Sequence, residues 1–572
     1  MEKKSRTPHY SSKTKRLNDV EGRGIDNQSL CHDWEMISPF KKVSIGDMRG
    51  WVREELFNLL STTFFEDPVS SIQKMGGHVV SESKLRWAAI LTLPNRQRIF
   101  FKRDMTKDWL EALKFLLLPS KARKEWFIAY QLRKRNLPIP KPLGWMERMD
   151  RGFVKESYYL SGAIGSGVSL IEDFDRLKDL LVIGELAQTV KKVHDSGLYH
   201  QDLHAGNFLW DGESIFLTDL HRTKILKSLS VNQRLWNLSQ LFHSLRFEWS
   251  EVDQTRFFEK YIEGGPLDFQ KRGEYLQKIY FWMERLQRKQ WKSRTKRCLR
   301  ESTEFFVKKE LGVTTYHRKD FSLDLIQKVI EDHRSLIGKN PSALIKNSKN
   351  ITVSILGNGR DKVCVKRFCY PHLWDRFKEH FRQSKGIRAW VAGHGLRVRN
   401  IPSLKPLALV ERRNWLGVNE SFFLMEALEA GQEMDRYILK GFDHFHQKRG
   451  FIKTFAHWLS NFHQMGLFHK DMKACNIFVS KNRETWNFYL LDLEDVRLDE
   501  EVDEKKLFKN LLQLNTSIPK TLTRTDRLKF FREYVKQYPT VKNEEIFLYR
   551  LMGKSRARGV VYVSPEGVVE ER

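Results

Sequence analysis

The chain has 572 residues, 41% of them hydrophobic and 12% aromatic, which excludes global disorder and at this length calls for several domains. Lys and Arg total 100 against 71 Asp and Glu, a formal charge of +29 that points to an anionic partner: nucleic acid, an acidic membrane surface or a phosphorylated substrate. Five cysteines without a C-x-x-C pair exclude a disulfide scaffold, argue against zinc and fit a reducing, cytosolic compartment.

In chain order, residues 1–40 open basic and polar without an apolar h-region, and are expected to be a disordered tail rather than a secretory signal. The most apolar stretches, 113–119 and 180–186, fall far short of the roughly 18 apolar residues of a membrane span. Residues 85–93 and 98–102 read as two strands around the turn signal Pro94-Asn95, 121–135 as a helix, 155–160 as a further strand and 180–195 as a helix ending near Gly197. Strands at 351–356 and 362–368, with the turn Gly357-Asn358-Gly359, then a helix at 385–399, a strand at 420–425 and a helix at 451–465 follow the same plan.

That second series is a copy of the first. SKARKEW (120–126) answers SKGIRAW (384–390), and Lys-Pro-Leu at 141–143 answers 405–407. VHDSGLYHQDLHAGNFLW (193–210) matches FHQMGLFHKDMKACNIFV (462–479), and NLSQL (237–241) matches NLLQL (510–514). The offset drifts only from 264 to 273, so the indels are loop-sized and the chain is two homologous domains. Expected boundaries are 41–300 for domain one, 301–320 for a linker, 321–552 for domain two and 553–572 for a C-terminal tail. Each domain reads as a small β-rich lobe followed by a larger helical lobe. Residues 285–300 carry eight basic and no acidic side chains, a solvated helix, a contact for anionic lipid or sugar phosphate, or a contact for nucleic acid.

The chemistry sits in two matching motifs. His200-Gln-Asp202 with Asn207 precedes a short apolar strand ending in Asp219, and His469-Lys-Asp471 with Asn476 precedes one ending in Asp492. This is the H-x-D-x-x-x-x-N loop and metal-binding turn of a kinase. An acceptor hydroxyl needs a carboxylate to orient it and take its proton, the expected role of Asp202 and Asp471. Mg²⁺ takes hard oxygen ligands, expected from Asn207 with Asp219 and from Asn476 with Asp492. A strand lysine should hold ATP, Lys102 in one copy and Lys366 in the other, steadied by a helix acid, Glu125. The residue aligned with Glu125 is Ala389, so the second copy uses another acid or is altered or inactive. No G-x-G-x-x-G precedes either lysine, which leaves residues 74–83 and 346–350 as candidate phosphate covers.

HQDLHAGN with TDLHR (218–222), SKARKEW with NLPIPKPLG, and HKDMKACN with LDLEDVRL (491–498) resemble the lipopolysaccharide core (Kdo and heptose) kinases, distant relatives of protein kinases. The resemblance spans both repeats. It implies an α+β fold of two tandem protein-kinase-like bilobal domains, and an enzyme that uses ATP and Mg²⁺ to phosphorylate a sugar hydroxyl of the lipopolysaccharide inner core. It further implies a lipid-linked sugar substrate and a peripheral position at the cytoplasmic face of the inner membrane, against an anionic surface. Gln201 and Lys470 stand where protein kinases carry the arginine of H-R-D, and Asp219-Leu-His and Asp492-Leu-Glu stand for D-F-G, against switching by a phosphorylated activation loop. His204 is usual for sugar kinases and Lys473 for protein kinases. A protein Ser/Thr kinase-like enzyme and a membrane-associated pseudokinase module in domain two are therefore the alternatives, and nucleic acid, lacking any recognition motif, is the poorest partner.

Overall fold

The computed structural model describes residues 39–173, 176–357, 361–372, 383–415, 417–428, 430–482 and 485–571. All but the end of the expected tail 1–40, and most of the turn 357–359, lie outside these. The chain forms two compact units, 1–287 and 288–572. Each is an α+β fold with a seven-stranded sheet in one lobe and a mostly helical second lobe.

The β lobe of the first unit is one seven-stranded antiparallel sheet. Its spatial order is Phe40–Ile45, Met48–Arg53, Pro142–Asp150, Phe153–Gly162, Arg98–Met105, Arg86–Thr92 and His78–Glu82. The strand alternation divides its faces. Phe101, Tyr158 and Leu160 pack against Phe64, Phe65 and Ile72 of short helices. Tyr159 and Trp145 turn the other way, onto Trp126 and Ala129 of the helix Lys121–Lys134 and into the core of the helical lobe. Ser120 caps that helix, accepting from the Arg123 N–H at 3.2 Å.

The second unit repeats the plan with a seven-stranded sheet in the order Phe305–Glu310, Val313–Arg318, Pro406–Asn414, Gly417–Glu426, Val363–Cys369, Ile351–Leu356 and Lys346–Asn347. Val365, Ala408 and Phe422 face Ile326, Val329 and Ile330 of the helix Leu323–Lys339, while Leu409 and Phe423 face Trp390 of the helix Lys385–Val398.

Two boundaries need correction. The segment 301–320 is not a linker: Phe305–Glu310 and Val313–Arg318 pair across the Leu311-Gly312 turn and begin the second sheet. β-branched and aromatic residues open both strands, FFV in FFVKKE and VTTY in VTTYHR, a preference that the neighbouring basic run obscures. The segment 553–572 is not a loose tail either. Its first residues finish the helix Glu544–Arg558, and Val560–Ser564 then pairs with Gly567–Glu571 as a hairpin. That hairpin is pinned by the Val563 N–H donating to the buried Asp435 carboxylate at 2.9 Å and the Val561 N–H to the Thr516 carbonyl at 2.9 Å.

In each helical lobe a long helix, Leu180–Asp195 or Phe445–Gln464, runs to a turn at Gly197 or Gly466, with φ of +83° and +71°. A Cβ at Gly197 would sit 2.0 Å from the Leu226 carbonyl oxygen, so only glycine allows the chain to turn there towards the loop that follows.

Candidate active site

The strand Leu198–His200 pairs with Thr223–Ile225, and this short ladder holds the loop 200–207 and the turn 219–222 side by side. In the second unit Phe468–His469 pairs with Val496–Arg497 to the same effect. Asn237 grips the first loop from the helix Val231–Ser244: its amide donates to the His200 carbonyl at 2.6 Å and accepts the His200 N–H at 3.2 Å. Gln240 donates to the Gln201 carbonyl at 2.8 Å. Asn510 and Gln513 repeat both donations at 2.7 and 2.9 Å. The repeated NLSQL and NLLQL are thus loop clamps, a role their spacing alone did not reveal.

Within each loop the histidine is an internal brace. Burial pushes the His200 imidazole down to about 4, so it is neutral, and its Nδ1 accepts the Asp202 N–H at 3.1 Å. His469 accepts the Asp471 N–H at the same 3.1 Å, and its Nε2 lies 3.1 Å from the Asp492 carbonyl. The Asn207 amide donates to the Asp202 carbonyl at 2.9 Å, and Asn476 does so to Asp471 at 2.9 Å.

The buried lysines meet the turns. Lys102 Nζ lies 2.6 Å from Asp219 Oδ1 and 3.0 Å from Glu125 Oε2. Burial alone would lower its pKa, but the charges of Glu125 and Asp219 outweigh that and raise it, so the ammonium stays charged. Burial would likewise raise the Asp219 carboxyl, yet a hydrogen bond from His221, at 2.8 Å, and the Lys102 charge hold it well below the usual carboxylate range. Asp219 has φ of +58°, the left-handed region, which turns its carboxylate back from the strand end.

In the second unit Lys366 Nζ lies 2.7 Å from Asp492 Oδ1 and 3.0 Å from Glu494 Oε2. Ala389 is fully buried on the helix and offers no acid. The missing helix acid is replaced by one two residues beyond Asp492, where the first unit has His221. Lining up TDLHR with LDLEDV places Glu494 opposite His221, and that was the available sequence signal.

The proposed bases differ in their partners. The Asp202 carboxylate, about half exposed, takes an ion pair from Arg222. Asp471 lies 3.2 Å from Lys473 Nζ and also accepts from Gln513 Nε2 at 3.3 Å. Arg86, at the start of the strand beside Lys102, went unnoticed in the sequence. It pairs with Asp104 at 3.0 Å and reaches to 3.9 Å of Asp219. In the second unit the Lys346 charge acts on Asp492 in the same sense.

A cavity of about 390 Å³ opens at the first set. Ala88, Ile90, Leu209 and Leu217 give it apolar walls, while Lys102, Glu125, Asn207 and Asp219 supply charge and hard oxygen donors. Val80 and Ser81, from the hairpin within the candidate cover 74–83, line it too. A planar apolar group with an anionic, metal-bound tail matches this division, which is the chemistry of a nucleoside triphosphate with Mg²⁺. Glu125, Asp219 and His221 also bring ligand atoms within 4.8 Å of one another, but the Lys102 ammonium lies among them and makes the group an ion-pair cluster.

The model of the lipopolysaccharide kinase (Kdo/WaaP) family matches residues 72–261 and 373–534, more than half of the chain and once in each unit. The lipopolysaccharide core heptose(I) kinase WaaP of Escherichia coli (strain K12) is 25% identical over 224 residues, 35% of this chain and 83% of the relative. Among solved structures, WaaP in complex with acyl carrier protein aligns with a TM-score of 0.29 and 18% identity, over 40% of this chain and 96% of that one. The pseudokinase domain of BIR2, an immune regulator of the RLK/Pelle family, aligns with a TM-score of 0.22 and 12% identity, over 36% and 74%.

Proposed function

Because the chain belongs to the lipopolysaccharide kinase (Kdo/WaaP) family, and is thereby a kinase, a phosphotransferase, we propose that both of its units phosphorylate sugar hydroxyls of the lipopolysaccharide inner core. Heptose is the first acceptor to test and Kdo the second, since the curated relative is a heptose(I) kinase. The observation that carries the reading is the doubled set: a buried lysine within 3.0 Å of two carboxylates, beside an H-x-D-x-x-x-x-N loop, in each unit.

Asp202 and Asp471 orient the acceptor hydroxyl and take its proton. Lys102, tied to Glu125, and Lys366, tied to Glu494, hold the phosphate end of the nucleotide. Asn207 with Asp219, and Asn476 with Asp492, would hold Mg²⁺ through amide and carboxylate oxygens. ATP, when bound with Mg²⁺, supplies the phosphoryl group and the charge screening that transfer requires. Ala88, Leu209 and Leu217 keep water from the base-binding part of the first cavity. Glu494 supports an active second unit over a pseudokinase one, because it returns a carboxylate to Lys366. Among the described residues no helix is long and apolar enough to cross a membrane, and the reading places the enzyme peripherally at the cytoplasmic face of the inner membrane.

Mass spectrometry of core sugars tests this. Cells carrying wild-type chain should show added phosphate on heptose or Kdo, cells carrying Asp202→Ala with Asp471→Ala should lack it, and unchanged phosphate in the double variant would refute the reading.

A further inference from the structure

The apolar stretch at 113–119 belongs to a helix whose polarity is inverted. Trp109–Leu117 is capped by Asp108, which accepts the Glu111 N–H at 2.9 Å, and is tied to the next helix by Glu111 and Lys121 at 2.9 Å. None of its residues is buried. Trp109, Leu110, Leu113, Leu116 and Leu117 recur at the spacing of one helical face, the face a globular protein normally turns inward. Here they are 69%, 60%, 42%, 57% and 86% exposed. Only Glu111, Ala112, Phe115 and the flanking Leu118 are partly covered.

The surroundings are cationic. Lys107 precedes the helix with its side chain 70% exposed. Burial first, and then the charges of Lys224 on the strand Thr223–Ile225 and of Lys114 on the helix, lower the pKa of the partly buried Lys124. These lysines neighbour the working parts of the unit: Lys124 precedes Glu125, and Lys224 lies on the strand paired with the one leading to Asp202.

We propose that the helix Trp109–Leu117 inserts its exposed apolar face into the interfacial layer of an anionic bilayer, with Lys107, Lys114, Lys124 and Lys224 against the headgroup phosphates. Short helices with Trp and Leu on one side and lysines at the margin bind membranes in this way, by apolar burial plus attraction to anionic lipid. Charge weighs against a symmetric second copy, which would oppose the same four lysines, and against residues 1–24 of this chain, which carry seven Lys and Arg against three Asp and Glu. Residues 25–38, with Asp26, Asp33 and Glu35 and no Lys or Arg, are the competing occupant; their removal should leave flotation unchanged, and a gain in flotation would make that segment the partner of the helix. The choice of a membrane over another anionic surface rests on the proposed lipid-linked acceptor.

Flotation of the full chain with vesicles of phosphatidylethanolamine and phosphatidylglycerol tests the proposal, with pure phosphatidylcholine as the neutral control. Wild type should float with the anionic vesicles and far less with the neutral ones. Leu113→Asp/Leu116→Asp/Leu117→Asp should lower the bound fraction at least tenfold, and Lys114→Ala/Lys224→Ala should lower it in a manner that 0.5 M salt abolishes. Leu117→Asp alone, at the residue least able to disturb the fold, should move binding the same way by a smaller factor. Mg-ATP binding is measured beside each variant and should not change. Vesicle binding equal to wild type in both leucine variants would overturn the proposal, as would loss of a dimer in place of loss of vesicle binding. Absence of phosphate transfer by wild type would instead count against the proposed function and leave the flotation result standing.

Discussion

The two lysine sites reach the same charge balance by different routes. In the first unit the second carboxylate comes from a helix, Glu125, and the turn after Asp219 carries a base, His221. In the second the helix position is Ala389 and the turn carries the acid, Glu494. Each lysine still has two carboxylates within 3.0 Å. What the site demands is therefore a compensated buried ammonium and not an acid at one place in the chain. The routes differ in what can disturb them. The Lys102–Glu125 pair depends directly on where the helix Lys121–Lys134 stands, whereas the Lys366–Glu494 pair lies between a strand and the turn that already carries Asp492, and the helix Lys385–Val398 bears on it only through that turn, where Arg388 donates to the Glu494 carbonyl at 3.3 Å.

The largest expected effect falls on the bases. Asp202→Ala and Asp471→Ala together should remove core phosphorylation, while each alone should remove one unit's share, by about 10²–10⁴-fold in that unit's rate. Single-turnover transfer of labelled phosphate to isolated core oligosaccharide measures it. If one single variant abolishes all transfer and the other changes nothing, the unit whose variant changes nothing is not a catalyst.

Next come the ion pairs. Glu494→Ala leaves Lys366 with one partner, and loss of one member of a buried pair costs about 3–5 kcal/mol; Mg-ATP affinity at the second unit should fall by an order of magnitude or more. Ala389→Glu combined with Glu494→His rebuilds the first unit's arrangement in the second and should restore affinity. A purely structural role for Glu494 would give no such rescue. Titration of each variant in a Lys102→Ala background, which removes the first unit's binding, reads this directly.

The loop clamps should matter less. Asn237→Ala orphans the buried His200 carbonyl and N–H, and Asn510→Ala orphans the His469 carbonyl. Each should cost about 1–3 kcal/mol of stability in urea melts and lower kcat more than nucleotide affinity.

The smallest effect per residue is shared by both units. Burial holds His194 and His394 at about 3 and His200 and His463 at about 4, against 6.5 in an open chain. Between pH 6.5 and 4 the unfolded chain therefore binds more protons than the folded one, and stability falls as pH falls. At pH 5.5 the loss is roughly 1 kcal/mol for each histidine, read as a lower urea midpoint than at pH 7.5.

Much of this was legible before the fold was known. The tandem repeat, the two bilobal units and the pairing of Lys102 with Glu125 follow from motif spacing, because strand and helix each place their functional residue at a fixed register; the contact of Lys102 with Asp219 is seen only in the fold. Glu494 was not legible in that way. The sequence shows only that the helix acid is gone, and which nearby carboxylate a buried lysine finds is decided by the turn in three dimensions. Arg86 escaped notice because its importance lies in cross-strand register: Ala88 pairs with Lys102 and Arg86 with Asp104, which brings the guanidinium to Asp219. The hairpins at 305–318 and 560–571 were hidden by Gly, Ser, Pro and charge, which mark loops only when no partner strand stands ready. The inverted helix Trp109–Leu117 could not be told from a core helix, since periodicity gives a face but not its direction.

The central claim is that one chain holds two complete nucleotide sites, and the number of Mg-ATP molecules bound per chain tests it most directly. Isothermal titration of the full chain should give two, falling to one in Lys102→Ala, to one in Lys366→Ala and to none in the double variant. A wild-type value of one that Lys366→Ala leaves untouched would contradict the account.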